Sequence, residues 1–222
     1  MTHRGLFITG TDTNVGKTIV SAATLHRYRR EAPLRYWKPV QTGIEQDDDT
    51  REVQRLAACG DDEVLADGVR LPRPVSPHLA ASLQGVEIRV DALLAILDRQ
   101  APGRVWIVEG AGGVFAPLNR SDVMVDLIVR LGMPAVVVSR STLGTINHTM
   151  LTLEALRSRQ VQVAGVVMVG APDEENRRAI EHYGGAPVLG ELPVLDPLDA
   201  QALGGWARTC LDRQGDLLEW LR

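Results

Sequence analysis

A glycine-rich segment near the start of the chain combines residue types that bind phosphate. Residues 10–18 read Gly-Thr-Asp-Thr-Asn-Val-Gly-Lys-Thr and follow a short apolar run. The two glycines permit a tight turn that aims backbone N–H groups and a helix N-terminus at one anion. Lys17 adds a mobile positive charge, and Thr18 adds a hydroxyl group of the kind that ligates Mg²⁺. Although Thr11 stands where the usual pattern has its first glycine, the segment predicts a phosphate-binding loop.

A lysine and an acidic loop follow the second apolar run of the chain. Lys38 lies near the end of the run 35–40, and a lysine at the carboxyl end of a buried parallel strand points at the ligand crevice. The triplet Asp47, Asp48 and Asp49 then precedes a helix. Such residues usually cap a helix N-terminus, but one of them can also ligate a metal ion. We therefore expect Lys38 to face the ligand crevice and leave the three aspartates as alternative metal ligands.

A carboxylate ends the next buried run. Glu109 follows the apolar residues 105–108 and precedes Gly-Ala-Gly-Gly. A carboxylate in this place beside a phosphate loop holds Mg²⁺ directly or through water. Gly112 and Gly113 would let backbone N–H groups approach a ligand. Glu109 is the second expected metal ligand.

A further loop, residues 140–148, again leads into a helix. Exposed N–H groups at residues 145–147 could hold a carboxylate, although a simple helix start explains the same residues equally well. His78 and His148 have no Asp or Ser at a catalytic spacing, so neither is expected to act as a base.

Short apolar runs alternate with stretches of helical periodicity along the chain. The runs are residues 6–8, 35–40, 105–108, 135–138, 163–169 and 188–189, and the helical stretches include 17–30, 91–100, 122–131 and 147–159. The runs are too continuous for half-exposed antiparallel strands. The alternation predicts an α/β fold, a doubly wound and mainly parallel sheet with helices on both faces, of the P-loop NTPase type.

The length of 222 residues favours one domain over residues 1–222. Residues 60–77, which prolines and glycines interrupt, are expected to form a surface loop. On the helix 147–159, the expected inward-facing residues are Met150, Leu151, Leu153 and Leu156.

Composition excludes several classes of partner. The net charge of −4 leaves no basic surface for nucleic acid or anionic lipid. Cys59 and Cys210 are far apart in sequence, so we expect packing residues in a reducing compartment rather than a disulfide. No apolar run reaches the roughly 20 residues of a membrane span, and the first residues lack a signal-peptide core. A cytoplasmic protein is expected.

The motifs taken together resemble one enzyme family. They are the loop at 10–18, Lys-Pro-Val at 38–40, Ser-Pro-His at 76–78, Val-Glu-Gly-Ala-Gly-Gly at 108–113, and Leu-Gly and Asn-His within 143–148. In this order, over residues 5–195, the chain resembles the dethiobiotin synthetases, which catalyse the penultimate step of biotin synthesis. The resemblance implies a ligase that joins CO₂ to 7,8-diaminopelargonic acid with MgATP, through a carbamate and a carbamic-phosphoric anhydride.

The resemblance also implies roles for individual residues. Lys17 would clamp the β- and γ-phosphates, and Lys38 would hold the carbamate and the γ-phosphate. The implied metal ligands are Thr18, Asp49 and Glu109. The implied nucleotide contacts are Thr13, Asn14, Val15, Gly16, Lys17, Thr18, Val169, Gly170, Leu192, Pro193 and Val194. The implied diamine contacts are Thr13, Lys38, Thr42, Gly112, Gly113, Thr145 and Asn147, the last two reaching across a homodimer to the partner's site.

Two departures from the family pattern concern the nucleotide. Asn14 stands where many relatives have an acidic residue, and Val169 stands where some have the asparagine that reads adenine. CTP and GTP therefore join ATP as candidate substrates. Two rival classes share the loop. A nucleotide-switched partitioning ATPase usually has a second lysine ahead of Gly16, and a cobyrinate-type amidase needs a glutaminase half for which this chain has no room.

Overall fold

Parallel strands alternate with helices along the part of the chain that the computed structural model describes, residues 3–222. The strands are β1 (Gly5–Gly10), β2 (Leu34–Trp37), β3 (Val40–Thr42), β4 (Val64–Leu65), β5 (Val69–Leu71), β6 (Val105–Glu109), β7 (Ala135–Arg140), β8 (Val163–Val169) and β9 (Val188–Leu192). The helices are α1 (Lys17–Tyr28), α2 (Asp49–Ala57), α3 (Pro77–Leu83), α4 (Val90–Asp98), α5 (Met124–Leu131), α6 (Thr145–Ser158), α7 (Glu174–Gly184), α8 (Ala200–Cys210) and α9 (Leu218–Leu221).

The main sheet has seven strands in the order β4-β2-β6-β1-β7-β8-β9, and its neighbouring strands all pair in parallel. The chain leaves β1 toward β2 on one side, returns to β6, and then continues through β7 on the other side. This reversal of strand order opens a crevice at the carboxyl ends of β1 and its neighbours, where ligands bind in doubly wound sheets.

Helices cover both faces of the sheet, as the sequence predicts. One core packs α1, α2 and α8 against the sheet and includes Leu25, Leu56 and Leu203. The other core packs α4, α5 and α6 on the opposite face and includes Ile128 and Leu156. The expected fold class is therefore confirmed. Cys59 and Cys210 are free thiols that pack against the edge of the first core.

The second predicted strand is shorter than its apolar run. It ends at Trp37, and after Lys38 and Pro39 the chain begins β3, which pairs with β5 in a separate two-stranded sheet. Pro39 has no N–H group to donate to a ladder, so the strand breaks where the apolar pattern continues. The break leaves Lys38 at the carboxyl edge of the main sheet.

Two expectations about local structure are wrong. Residues 60–77 are not only a loop, because they form β4 at the edge of the main sheet and β5, with Leu65 and Leu71 buried. Two-residue and three-residue strands between prolines and glycines carry too little periodicity to be recognised.

The second wrong expectation concerns α6. Leu153 and Leu156 are buried as expected, but Leu151 is 61% exposed. Among the described helices, none has the length and apolar character that crossing a bilayer requires.

Candidate active site

The phosphate-binding loop connects β1 to α1 in a conformation that few side chains could adopt. Gly16, with φ of 100°, directly precedes α1, and a Cβ atom there would lie 3.1 Å from the side chain of Val169. Asn14 also has a positive φ, 55°, which asparagine tolerates better than most residues. The loop geometry thus gives a local reason for an asparagine at position 14.

Lys17 folds back over the loop. Its ammonium group donates a hydrogen bond to the backbone carbonyl of Asp12 at 2.8 Å, and the side chain is 7% exposed. Burial, and after it the charge of Lys38, lowers the pKa of Lys17 to about 8. An ammonium group held over a glycine-rich loop at a helix N-terminus is suited to a polyphosphate.

Lys38 lies between two carboxylates, Asp49 and Glu109, which we call the carboxylate pair. Its Nζ is 2.6 Å from Asp49 Oδ2, 2.6 Å from Glu109 Oε1 and 3.1 Å from the carbonyl oxygen of Gly110. Trp37 and Val108 are register partners in β2 and β6, so the next residues, Lys38 and Glu109, emerge side by side. Burial disfavours the charged form of Lys38, but Glu109 and Asp49 outweigh it and raise its pKa above the ordinary value.

Thr18 joins this group from the first turn of α1. Its hydroxyl oxygen is 3.0 Å from Asp49 Oδ1 and 3.0 Å from Glu109 Oε1. Burial alone would raise the pKa of Asp49, but the charge and hydrogen bond of Lys38 outweigh it, so the pKa is lowered and the carboxylate is ionised at neutral pH. One hydroxyl oxygen therefore lies within hydrogen-bonding distance of both members of the carboxylate pair.

This donor set fits Mg²⁺. Hard oxygen ligands from one hydroxyl and two carboxylates converge beside the phosphate-binding loop. Over residues 3–222, no group of three or more His, Cys, Asp or Glu side chains is placed to hold a metal ion. Mg²⁺ is usually bound through one or two carboxylates, with phosphate oxygens and water completing its shell, so this smaller set suits a metal ion that arrives with a nucleotide.

The structure separates the three aspartates that the sequence left as alternatives. Asp48 caps α2, because its side chain accepts hydrogen bonds from the N–H groups of Thr50 and Arg51. Asp47 is exposed. Asp49, the first residue of the helix, contacts Thr18 and Lys38. Of the triplet, Asp49 is the residue whose side chain contacts Thr18 and Lys38, both of which also contact Glu109.

Residues that the sequence analysis missed complete the surroundings of Glu109 and Lys38. The hydroxyl groups of Ser21 and Tyr36 lie 3.0 Å and 2.9 Å from Glu109 Oε2. Burial and then the charge of Glu109 raise the pKa of Tyr36 far above its ordinary range, so it keeps its proton. The Arg70 guanidinium donates to the backbone carbonyl of Lys38 at 2.7 Å.

Their sequence signals exist but are weak. Ser21 lies one helical turn after Lys17, and Tyr36 lies two residues before Lys38. A stronger signal is composition, since Lys17 and Lys38 are the only two lysines among 24 basic residues.

Two other predicted site residues, Gly112 and Gly113, lie against the phosphate-binding loop. A Cβ atom at Gly112 would lie 3.8 Å from the Thr13 hydroxyl, and one at Gly113 would lie 3.5 Å from the carbonyl oxygen of Gly10. The glycines after Glu109 therefore lie against the loop. Thr42 is half-buried at the end of β3.

The predicted carboxylate-binding helix start follows β7, at the beginning of α6. Thr145 begins α6 and its hydroxyl donates to the carbonyl of Arg140, whose guanidinium donates to the carbonyl of Thr13 at 3.3 Å. Asn147 is exposed on the first turn. The Thr145 side chain is engaged, and its backbone N–H donates to the carbonyl of Thr142 at 3.1 Å, so Thr145 itself is not free to contact a ligand as the sequence predicts.

The predicted base-contacting residues occupy the ends of β8 and β9. The Gly170 N–H donates to the carbonyl of Leu192 at 2.9 Å, so the two segments are adjacent. Leu192 is buried, Pro193 is half-buried and Val194 is 84% exposed. Val169 packs on Gly16, which places an apolar side chain directly against the phosphate-binding loop.

Solved structures with the same fold are nucleotide-binding proteins of low sequence identity. A ParA family ATPase from Chlorobium tepidum has a TM-score of 0.58 at 10% identity, covering 93% of this chain and 98% of that one. A nucleotide-binding protein in complex with ADP from Archaeoglobus fulgidus has a TM-score of 0.56 at 12% identity, covering 99% and 92%. The family model described as an AAA domain matches residues 4–202. Fold and loop thus define the class, a P-loop NTPase fold.

Relatives of much higher identity define the family. The ATP-dependent dethiobiotin synthetase BioD of Paramagnetospirillum magneticum is 46% identical over 203 residues, 91% of this chain and 94% of that protein. That of Brucella ovis is 43% identical over 198 residues, 89% and 90% of the two chains. The biotin biosynthesis bifunctional protein BioCD of Bordetella avium is 46% identical over 206 residues, but the chain spans only 43% of its length. The chain belongs to the family of ATP-dependent dethiobiotin synthetases.

Proposed function

We propose that this protein closes the ureido ring of dethiobiotin, joining CO₂ to 7,8-diaminopelargonic acid while ATP is hydrolysed to ADP and phosphate. The observation that carries the proposal is the meeting of Lys17, Lys38 and the carboxylate pair at the phosphate-binding loop. The named activity of relatives that the chain matches over nine-tenths of their length supports it. The comparison with partitioning ATPases supports a shared fold only.

The electrostatic problem of this reaction explains the composition of the site. An anionic carbamate must approach an anionic triphosphate. One cation about 4 Å away offsets about 4 kcal/mol of each charge pair at an effective dielectric constant of about 20, so a single cation is too little. Lys17 and Lys38 are compact point charges, which suits two oxygens of different substrates better than the planar fork of arginine.

The reaction then proceeds in three steps. One amine of the diamine attacks CO₂ and loses a proton to give the carbamate, whose oxygen lies against Lys38. That oxygen attacks the γ-phosphorus, ADP leaves, and Lys17 stabilises the charge that develops on the β- and γ-phosphate oxygens. The second amine attacks the carbonyl carbon of the carbamic-phosphoric anhydride, the C–O bond to phosphate breaks, inorganic phosphate leaves with the proton that the amine gives up, and the ring closes.

Thr18, Asp49 and Glu109 would hold Mg²⁺. When bound, the ion neutralises phosphate charge and orients the transferred group. The contribution of the chain is to keep three oxygen ligands together beside Lys17. Asp49 can serve Lys38 through Oδ2 and a metal ion through Oδ1, whereas Glu109 Oε1 can serve both because one carboxylate oxygen has two lone-pair directions.

The substrate contacts belong to the same proposal. The diamine would lie between Thr13, Thr42 and the backbone at Gly112 and Gly113, with its nitrogens near Lys38. Its carboxylate would bind the backbone N–H groups of Ile146 and Asn147, directly after Thr145 at the start of α6, supplied by the partner of a homodimer. Two large apolar residues in and just before α6 support a homodimer, because Leu143 is 103% exposed and Leu151 is 61% exposed. Light scattering of the purified protein measures it.

The phosphates of the nucleotide would bind residues 13–18. Its base would lie between the end of β8, at residues 169–170, and the end of β9, at residues 192–194. Val169 offers the base no hydrogen bond, so we propose that CTP and GTP are used beside ATP. We also propose that residues 1–222 act as one domain in the cytoplasm, where Cys59 and Cys210 stay reduced.

The decisive experiment follows phosphate and dethiobiotin together. With MgATP, the purified protein should release phosphate only when the diamine and bicarbonate are both present, and one dethiobiotin should form per phosphate. Lys17 and Lys38 are the only lysines, so acetylation followed by mass spectrometry reports ATP protection of the site directly. Phosphate release that is independent of the diamine would instead indicate a nucleotide-switched ATPase.

A further inference from the structure

The two oxygens of Glu109 have different surroundings. Oε1 lies 3.0 Å from the Thr18 hydroxyl and 2.6 Å from Lys38 Nζ, on the side of the phosphate-binding loop. Oε2 lies 2.9 Å from the Tyr36 hydroxyl and 3.0 Å from the Ser21 hydroxyl. The carboxylate is completely buried, so water does not supply these contacts. Oε1 faces the phosphate-binding loop and Lys38, and Oε2 contacts two hydroxyl groups on the opposite side of the carboxylate.

The groups behind Glu109 come from two separate elements. Tyr36, in β2, is paired in register with Ile107, two residues before Glu109. Two strand residues rise about 6.6 Å, which matches the length of a tyrosine side chain reaching toward the carboxyl end of the sheet. Ser21 lies on the buried side of α1. Tyr36 and Ser21 are both fully buried, so their hydroxyl groups have fixed partners.

We propose that Tyr36 and Ser21 are positioning residues that bind Glu109 Oε2 and thereby direct Oε1 at the metal ion and Lys38. The proposal rests on the proposed function only in assigning Glu109 to the metal. The Tyr36 hydroxyl has a single proton to donate, and its acceptor within the described residues is this carboxylate oxygen. Partners that orient a ligating carboxylate typically change metal affinity or activity by 10–100-fold when they are removed.

Tyr36→Phe is the sharpest test, because it removes only the hydroxyl group and keeps the buried ring. The chain offers a matched control in Tyr28→Phe. Tyr28 lies at the other end of α1, is also fully buried, and donates to the buried carboxylate of Asp212. Both changes remove a tyrosine hydroxyl from a buried carboxylate, but only Tyr36 contacts a carboxylate of the site.

The experiment measures binding of Mn²⁺ in the presence of ADP by electron paramagnetic resonance, together with the Mg²⁺ concentration for half-maximal turnover and the melting temperature. We expect Tyr36→Phe to raise the dissociation constant of Mn²⁺ and the half-maximal Mg²⁺ concentration at least about tenfold. Its affinity for ADP in the presence of EDTA should stay within twofold. Tyr28→Phe should lower the melting temperature and leave both metal values unchanged.

Ser21→Ala gives a second route if Tyr36→Phe does not fold, with a smaller increase of about threefold or more because Ser21 also lies 2.9 Å from the carbonyl of Lys17. The proposal is overturned if the variants bind Mn²⁺ like the wild type and only melt earlier. Because Mn²⁺ binding needs no diamine, this result is distinct from failure of the proposed reaction, in which the wild type would bind Mn²⁺ and form no dethiobiotin.

Discussion

Replacing Lys38 by alanine should separate its catalytic role from its electrostatic one. The substitution removes the ammonium group that lies 2.6 Å from an oxygen of each member of the carboxylate pair. The phosphate-binding loop and Lys17 remain, so nucleotide should still bind. Turnover should fall several hundredfold, as expected when a preorganised charge is removed from a developing anion.

The effect on stability can be estimated from the same distances. Without Lys38, oxygens of Asp49 and Glu109 lie no more than about 5 Å apart and repel each other by about 3 kcal/mol at an effective dielectric constant of about 20. Removing one partner of a buried ion pair typically costs about 3–5 kcal/mol. The Asp49 side chain is 31% exposed, so we expect the lower end, about 3 kcal/mol.

Mg²⁺ should reverse much of this loss, because a divalent cation then neutralises two carboxylates that no longer have a lysine. Urea unfolding with and without Mg²⁺ should therefore show a larger stabilisation of Lys38→Ala than of the wild type, by at least about 1 kcal/mol. Equal stabilisation of the two proteins would refute the electrostatic reasoning. If Lys38→Ala turned over at more than about a tenth of the wild-type rate, Lys38 would not be a catalytic residue.

Three further predictions concern the metal, the base and pH. Asp49→Asn and Glu109→Gln should each raise the Mg²⁺ concentration for half-maximal turnover at least about tenfold. Asp47→Asn changes an exposed residue and should leave this concentration unchanged. Equal Mg²⁺ titrations for the Asp47 and Asp49 variants would contradict the choice of Asp49 as the metal ligand. Competition with equimolar nucleotides should show ATP, CTP and GTP within about tenfold in kcat/KM, and a preference for ATP above about a hundredfold would show that groups other than Val169 read the base. Burial lowers the pKa of His26 below its ordinary value of 6.5, so His26 binds a proton more readily in the unfolded chain than in the folded one, and stability should fall as the pH drops below about 6.5. Over this pH range the urea midpoint of His26→Gln should fall less than that of the wild type. Parallel curves of midpoint against pH would argue against the lowered pKa.

The phosphate-binding loop and the parallel sheet could be predicted from the sequence because both depend on local patterns. Glycine spacing around Lys17 and Thr18 specifies a turn between a strand and a helix, and continuous apolar runs specify buried strands. The short strands β4 and β5 escaped prediction because so few residues show no period. Leu151 shows the same limit, since a helix with apolar residues on more than one side does not reveal which of them the sheet covers.

The arrangement around Glu109 depends on contacts between residues distant in sequence. Lys38 and Glu109 are 71 positions apart, and Ser21 and Tyr36 meet the same carboxylate from 88 and 73 positions away. No period or spacing in the sequence encodes these distances, because strand register and the docking of α1 set them. The same holds for the choice among the aspartates, where the start of α2 turns Asp48 toward backbone N–H groups and Asp49 toward Thr18.

The sequence by itself therefore determined which chemical groups the protein has: a phosphate-binding loop, two lysines and several candidate carboxylates at the ends of strands. The tertiary structure decided which of these groups act on each other. The physical reason is that hydrogen bonds and ion pairs depend on distances of about 3 Å, which are fixed only when β2, β6 and α1 pack together.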